Sequence, residues 1–189
     1  MRPRGSLRVV GGSAKGRRLK GTLSPEARPT TERVRAAIFN ILSRNTYWDR
    51  RMLDLYAGSG SLGIEGLSQG AGWADFVERS SRQCEVIRSN LEHAGFSQRS
   101  KVYCGGALRT LQALPGSYSL VVLDPPYKMP NLAQALEKID STGGLIEENG
   151  VVVVGHSRHL DLPDVIGRLI LESHRRYGDN VVEFYRRDS

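Results

Sequence analysis

The chain has 189 residues, of which 39% are hydrophobic, and its formal net charge is +7 at pH 7. This length suits a single domain of ordinary size. Apolar runs such as "VVVV" at 151–154 fall far short of the roughly 20 residues that span a membrane, and the charged start lacks the apolar stretch of a secretory signal. We therefore expect a cytoplasmic protein with no membrane partner, whose Cys84 and Cys104 stay unpaired in a reducing compartment.

The positive charge is concentrated at the N-terminus. Residues 1–35 have a net charge of +8, and the remaining residues have a net charge of −1. A disordered, solvated tail is one interpretation, but "LRVVGG" and "GRRLKG" are typical of two short strands around a turn. We predict a basic β-hairpin arm over residues 1–28 that binds RNA phosphates. The candidate contacts are Arg8, Lys15, Arg17, Arg18 and Lys20 in the arm, with Arg35 and Lys128 beyond it.

A helix and then alternating strands and helices follow the arm. "RPTTERVRAAIFNILSR" offers Thr30 and Thr31 as N-caps and places apolar residues on one helical face. Strand patterns at "RMLDLYA", "WADFVE", "KVYCG", "SLVVLD" and "GVVVVGH" alternate with helix patterns, and "LILESHRRYGDNVVEFYRR" is typical of a hairpin. The predicted fold over residues 29–189 is α/β, a doubly wound, mostly parallel seven-stranded sheet of Rossmann-like type with a C-terminal antiparallel hairpin.

The segment "LDLYAGSGSLGIEG" contains a glycine-rich loop between a predicted strand and a predicted helix. Gly58, Gly60 and Gly63 have the spacing of a dinucleotide fingerprint. Glu78 ends the next strand, where an acid can hydrogen-bond a ribose hydroxyl. An NAD-linked oxidoreductase is therefore one interpretation of this loop.

Asp54, four residues before Gly58, favours a different cofactor. A dinucleotide pyrophosphate requires bare N–H groups at this position, and a carboxylate about 4–6 Å away would cost roughly 1–4 kcal/mol. S-adenosylmethionine has no phosphate and carries a sulfonium and an α-ammonium, both of which Asp54 would attract. An aspartate that caps a turn stays open as an alternative, but we predict S-adenosylmethionine as the cofactor.

The tetrapeptide "DPPY", Asp124–Tyr127, ends the next buried strand on the same sheet edge. The exocyclic amine of a nucleobase is a poor nucleophile because its lone pair is delocalised into the ring. Acceptors at the Asp124 carboxylate and the Pro125 carbonyl would direct that lone pair at a methyl group. Pro125 and Pro126 remove competing donors, and Tyr127 offers a stacking face for a flipped base. A rigid strand-end turn is the alternative interpretation.

Other chemistries find little support in the sequence. Carbon-5 methylation of pyrimidines needs a nucleophilic cysteine, and neither Cys84 nor Cys104 lies beside a suitable loop. His156 and His159 have no third ligand nearby, so we predict no metal site.

Several motifs together resemble a known family. "LRVVGGSAKGRRLK", "RPTTERVRAAIFNIL", "LDLYAGSGSLGIEGLSQGA", "FVERS" and "VVLDPPY" occur in this order, from about residue 7 to residue 127. They resemble the bacterial 16S ribosomal RNA guanine-N2 methyltransferases that modify guanine 966. The glycine loop and DPPY alone would also suit adenine-N6 DNA methyltransferases, so the N-terminal motifs decide between the two.

The resemblance implies a class I methyltransferase fold and S-adenosylmethionine as the methyl donor. The substrate would be the small ribosomal subunit or its assembly intermediate, and we expect a monomeric enzyme. Glu78 would bind the ribose hydroxyls. The family's usual adenine-binding Asp or Asn is replaced by Gly106, so backbone at Gly106 and Ala107 would make that contact. The implied cofactor-binding residues are Thr30, Thr31, Asp54, Ala57, Gly58, Gly60, Glu78, Arg79, Gly106, Ala107 and Asp124.

The predicted reaction is methyl transfer from S-adenosylmethionine to the exocyclic N2 of a guanine in 16S rRNA. An adenine-N6 methyltransferase acting on DNA or RNA is the main alternative. An NAD-linked oxidoreductase and an RNA-binding protein without catalytic activity are more distant ones. The nucleoside that becomes methylated separates the first two hypotheses.

Overall fold

The computed structural model describes residues 7–21, 31–42, 44–126 and 129–188. Thr30, Tyr127 and Lys128, which the sequence analysis assigns to the site, lie outside these ranges. One sheet contains eight strands in the described part of the chain. They are β1 (Arg51–Leu55), β2 (Trp73–Glu78), β3 (Ser100–Cys104), β4 (Tyr118–Leu123), β5 (Ile146–Ser157), β6 (Val165–Ile166), β7 (Leu169–Tyr177) and β8 (Asn180–Arg187).

Six α-helices accompany the strands within the same ranges. They are α1 (Glu32–Ile41), α2 (Arg44–Tyr47), α3 (Ser61–Ser68), α4 (Ser81–Ala94), α5 (Ala107–Thr110) and α6 (Leu132–Ser141). Thr31 caps α1 as predicted, since its hydroxyl accepts a 3.3 Å hydrogen bond from the Val34 N–H. None of these helices is long and apolar enough to cross a membrane.

The strand order is β3-β2-β1-β4-β5-β8-β7-β6. The first five strands in this order are parallel, and the last three are antiparallel to their neighbours. The order reverses between β1 and β4, which makes this the switch point of a doubly wound sheet. The predicted architecture is confirmed, except that there are eight strands and not seven. The additional strand is β6, whose two residues, Val165 and Ile166, pair with the start of β7.

The described part of the N-terminal arm, residues 7–21, is a compact loop packed against the body. Two strands were predicted here, but the structure has one isolated antiparallel bridge, between Arg8 and Arg18. Three apolar side chains of this part of the arm, Val9, Ala14 and Leu19, are buried in the same cluster as the core of the domain. This burial holds the loop in place, so it needs no extended ladder of its own.

Two hydrophobic layers cover the sheet. One layer contains residues of the arm, α1, α3 and α4, together with one face of the strands. The other contains residues of α5, α6 and the opposite face. The central strand β4 is buried along its whole length, as its apolar, β-branched sequence predicts. The two layers leave the carboxyl edge of the parallel strands as the place for a ligand.

Cys84 in α4 and Cys104 at the end of β3 form a disulfide, with their Cα atoms 6.2 Å apart. The expectation that the two thiols stay unpaired is therefore wrong. They are twenty residues apart in the chain, but α4 follows β2 and packs beside β3, which brings them together.

Candidate active site

Three acidic side chains converge on the carboxyl edge of the sheet. Asp54 is the next-to-last residue of β1, Glu78 ends β2, and Asp124 directly follows β4. These strands are neighbours in the order β2-β1-β4. The acids therefore surround the switch point, where ligands bind in folds of this type.

Asp54 is almost completely buried, with 1% of its surface exposed. Its Oδ2 accepts a 2.9 Å hydrogen bond from the Gly63 N–H in the first turn of α3. Burial raises the pKa of Asp54 well above its ordinary value, the Gly63 N–H opposes this shift, and the carboxylates of Asp124 and Glu78 add to it. A cation bound at this edge would relieve the repulsion, whereas a pyrophosphate would increase it.

The chain between β1 and α3 forms a tight loop. Tyr56, Gly58 and Gly60 all have positive φ angles, of 57°, 55° and 74°, and the Gly60 N–H donates to the Ala57 carbonyl at 2.7 Å. Gly63 has a different role, because a Cβ there would lie 2.3 Å from the ring of Phe76. Its missing side chain therefore allows α3 to pack directly on β2, as expected for the third glycine of such a loop.

Glu78 connects this loop to β2. Its Oε2 accepts from the Gly58 N–H at 3.0 Å, and its Oε1 accepts from the Ser80 N–H at 2.9 Å. Each oxygen has a further lone pair that can accept from a ribose hydroxyl. The Glu78 carbonyl accepts from the Gly105 N–H at 2.9 Å, which places Gly106 beside the same edge. Sequence analysis identified Glu78 but not its role in holding the loop.

The remaining predicted cofactor residues differ in their exposure. Arg79 is exposed at the turn after β2, and Ala107 is buried in the first turn of α5. Gly106 is the N-cap of that helix and has no side chain that could bind an adenine amino group. These residues lie where the sequence predicts them, and their contacts with a cofactor stay predictions.

Asp124 stands at the rim of a pocket between α1 and the strands β4, β5 and β8. Asp124 is half-buried, Pro125 is buried and Pro126 is exposed. Gly155 on β5 allows the carboxylate to approach, because a Cβ there would lie 3.1 Å from the Asp124 Oδ1. The walls of this small pocket are mostly apolar. The lining residues are Val34, Ile38, Leu62, Val122, Leu123, Asp124, Val153, Gly155, Asn180 and Val182.

A buried glutamate fastens the N-terminal arm to α3. The two carboxylate oxygens of Glu65 accept from the backbone N–H groups of Val10 and Gly11 at 2.8 and 2.7 Å. Its Oε2 also lies 3.9 Å from the Nε of Arg35, and both side chains are completely buried. Ser68, one turn later, donates to the Gly11 carbonyl at 2.5 Å. The arm is therefore docked on the helix that begins at the glycine loop.

The side-chain amide of Asn90 in α4 makes a second connection. Its Oδ1 accepts from the Lys20 N–H at 2.8 Å, and its Nδ2 donates to the carbonyls of Lys20 and Ser59 at 2.9 Å each. Asn90 is 2% exposed. One buried amide therefore joins the end of the arm to the glycine loop.

The basic side chains of the arm are arranged on its outer surface. Lys15, Arg17, Arg18 and Lys20 are exposed, and Arg8 is half-buried. Arg35 requires a correction, because its guanidinium is completely buried and donates to the Arg8 carbonyl at 2.5 Å. Burial lowers its pKa, and the charge of Glu65 opposes that shift. Arg35 therefore holds the arm in place and cannot reach an RNA phosphate in this structure.

Sequence analysis missed Glu65 and Asn90. Each lies within a helix at a position that a 3.6-residue pattern assigns no special role. Their partners in the arm are 54 to 70 residues away in the chain. The one available signal was an acid inside the otherwise apolar helix "SLGIEGLS", since a charge at a buried position needs a partner.

The fold and the acidic edge define a class I S-adenosylmethionine-dependent methyltransferase. The "Putative methyltransferase yhhF" structure from Escherichia coli matches with a TM-score of 0.82 and 28% identity, over 98% of this chain and 99% of that chain. The structure of an RNA methyltransferase from Salinibacter ruber in complex with S-adenosyl-L-homocysteine shares the fold, with a TM-score of 0.67 and 15% identity, over 86% of this chain and 95% of that chain. The NAD-linked interpretation of the glycine loop is therefore wrong.

The chain belongs to the family described as "Conserved hypothetical protein 95", whose model matches residues 7–186. It is 38% identical to the "Putative rRNA methyltransferase YlbH" of Bacillus subtilis (strain 168) over 185 residues, 96% of this chain and 99% of that protein. It is 30% identical to the "Ribosomal RNA small subunit methyltransferase D" of Escherichia coli (strain K12) over 187 residues, 98% of this chain and 92% of that protein.

Proposed function

We propose that this protein transfers a methyl group from S-adenosylmethionine to the exocyclic N2 of a guanine in 16S rRNA, at a position of the guanine 966 type. The observation that carries the proposal is the meeting of Asp54 and Asp124 at the ends of adjacent strands, beside a docked arm with exposed cations. The names of two relatives, which specify rRNA, support the nucleic acid. The N-terminal motifs support guanine.

The residues at the carboxyl edge fit S-adenosylmethionine by their charge. When bound, this cofactor supplies an electrophilic methyl group. Asp54 and Asp124 would attract its cationic groups, and Glu78 would accept from its ribose hydroxyls. Thr31 at the N-cap of α1 would border its methionine end. The backbone at Gly106–Ala107 would accept from or donate to its adenine.

The chain would activate the target amine by positioning it. Asp124 and the carbonyl of the buried Pro125 would each accept one amino hydrogen and aim the nitrogen lone pair at the methyl group. The carboxylate also stabilises the positive charge that develops on the nitrogen as the bond forms. Because the methylated amine is acidic, its proton would pass readily to the Asp124 carboxylate or to water, and deep proton abstraction beforehand is unnecessary. Stacking of the base on Tyr127 completes the proposed clamp.

The arm would bind the RNA. We assign residues 1–28 to RNA docking and residues 29–189 to the methyltransferase domain. Lys15, Arg17 and Arg18 are exposed on a loop whose backbone is fixed by buried groups, so their charges are held in a defined place. Phosphate contacts of this kind make binding strongly dependent on salt. The partner is a small ribosomal subunit or an assembly intermediate.

The decisive experiment is transfer of labelled methyl from S-adenosylmethionine to small subunits from cells that lack this protein. The RNA is then digested to nucleosides. Label in N2-methylguanosine at one position supports the proposal. Label in N6-methyladenosine would support the amine clamp but would contradict guanine as the target base. Absence of label on subunits, on naked rRNA and on DNA overturns the proposed function.

Asp124→Ala tests the clamp in the same assay. We expect a loss of roughly ten- to two-hundredfold or more in turnover, from removal of one charge-assisted hydrogen bond in the transition state. The matched control is Asp188→Ala, because Asp188 is an exposed acid at the opposite edge of the sheet. Turnover of Asp124→Ala equal to that of the control would contradict the clamp.

A further inference from the structure

We infer that the tip of the β7–β8 hairpin, defined as residues 174–179, is a second phosphate-binding surface for the RNA, separate from the arm. The inference rests on the proposed function for the identity of its partner. Three observations support it. They are the distance of the tip from Asp124, the face of the sheet on which Arg175 lies, and the acids that do or do not pair with the arginines of the tip. The net charge of −1 over residues 36–189 conceals this local pair of arginines.

The register of the sheet places Arg175 level with Asp124. Leu123 pairs with Val154, so Asp124 lies beside Gly155, the next residue of β5. Gly155 pairs with Val182 on β8, and Val182 pairs with Arg175 on β7. Three strand spacings separate the two residues, which amounts to roughly 14 Å between backbones. The residues after Arg175 extend further beyond the carboxyl edge, since Tyr177 pairs with Asn180 and Asn180 pairs with Ser157.

The tip lies beside the small pocket at Asp124, on the same face of the sheet as the arm. Val182 and Asn180 line the pocket together with Asp124. Directly paired residues on antiparallel strands share one face, so Arg175 lies on the face of Val182. That face is covered by α1, α3, α4 and the arm, whose apolar residues form one cluster with Val182. The arm and Arg175 therefore lie on the same side of the sheet, with α1 between them. Arg176 lies on the opposite face.

Two arginines of the tip have no acidic partner in the described part of the chain, and the acid of the tip, Asp179, forms an ion pair with Arg158 at 3.0 Å. Arg175 and Arg176 are exposed, and neither has a carboxylate partner among the described residues. Their hydrogen bonds are to backbone carbonyls, of His174 at 2.8 Å and of Gly178 at 3.1 Å. These bonds orient the guanidinium groups and leave further N–H donors for phosphate oxygens.

Three arginines at the opposite edge of the sheet differ in this respect, because they form the ion pairs Arg50–Glu147, Arg168–Asp140 and Arg186–Glu172. Arg99, at the same edge, donates to the Ala71 carbonyl at 3.1 Å. Arg175 and Arg176 therefore stay without an acidic partner in the described part of the chain, close to Asp124. A nucleic acid bound at Asp124 would contact the arm on one flank of α1 and the hairpin tip on the other flank.

The test is binding of RNA by the Arg175→Ala/Arg176→Ala variant of the full chain. The probe is the small subunit from cells that lack the protein, titrated at several salt concentrations with S-adenosylhomocysteine present to prevent turnover. We expect about tenfold weaker binding near 0.1 M salt and a salt slope smaller by about 1.5. Affinity for S-adenosylhomocysteine and the melting temperature should stay unchanged.

Lys101→Ala/Lys138→Ala is the matched control. It removes the same net charge from exposed residues toward the opposite edge, and it should leave RNA binding unchanged. Arg175→Lys/Arg176→Lys is a second control, which keeps both positive charges. It should retain the salt slope of the wild-type protein, so a lost slope in the alanine variant reports on charge and not on misfolding. RNA binding by the alanine variant equal to that of the control would overturn the inference. That result would leave the proposed function intact. The proposed function fails only if the wild-type protein does not methylate guanine.

Discussion

Removal of Glu65 should release the N-terminal arm and destabilise the domain. In Glu65→Ala the backbone N–H groups of Val10 and Gly11 lose acceptors at 2.8 and 2.7 Å. Arg35 loses the buried negative charge 3.9 Å from its Nε. Removal of one partner from a buried ion pair typically costs about 3–5 kcal/mol, because the other charge stays desolvated. We expect the free energy of unfolding to fall by that amount.

The assay is urea unfolding followed by circular dichroism, combined with limited trypsin cleavage at Arg17 and Arg18 in the arm. The control is Glu172→Ala, whose exposed ion pair with Arg186 should contribute at most about 1 kcal/mol. Glu65→Gln keeps one acceptor and should fall between the two. A Glu65→Ala variant that is within 1 kcal/mol of the control, and is cleaved at the wild-type rate, would refute the reasoning.

Three further predictions concern the glycine loop and its surroundings. Burial raises the pKa of Asp54, so binding of a cationic cofactor should release a proton from this carboxyl group. Affinity for S-adenosylmethionine should therefore rise with pH. Calorimetry in two buffers with different ionisation enthalpies should detect the released proton. Asn90→Ala should weaken S-adenosylhomocysteine binding, because the Ser59 carbonyl loses its donor; unchanged affinity would contradict the connection. Gly63→Ala should cost about 1–3 kcal/mol by urea unfolding, because its Cβ would overlap Phe76, whereas Gly143→Ala, with open space around it, should be neutral.

The meeting of three acids at the carboxyl edge could be predicted from the sequence because it depends on local patterns. Apolar, β-branched runs such as that before Asp124 mark buried parallel strands. Residues at the carboxyl ends of such strands meet at one edge, so Asp54, Glu78 and Asp124 could be placed together without coordinates. The cap at Thr31 was predictable for the same reason, since it depends on a hydrogen bond three residues away.

Features that depend on long-range contacts could not be predicted. Arg35 was counted among the RNA contacts because a charge count does not reveal burial, and its partner Glu65 is thirty residues away. The two residues of β6 are too few for any periodicity to show. The disulfide between Cys84 and Cys104 depends on how α4 packs beside β3. In each case the deciding interaction is tertiary.

Helix α3 connects the arm to the carboxyl edge of the sheet. The first turn of this helix gives the Gly63 N–H to Asp54 in the cofactor site. Two residues later Glu65 binds the arm, and Ser68 in the last turn binds it again. A helix of eight residues is rigid over this distance, so the position of the arm is fixed relative to Asp54. RNA held by the arm would therefore be presented to the methyl donor in one orientation, without a hinge between the two sites.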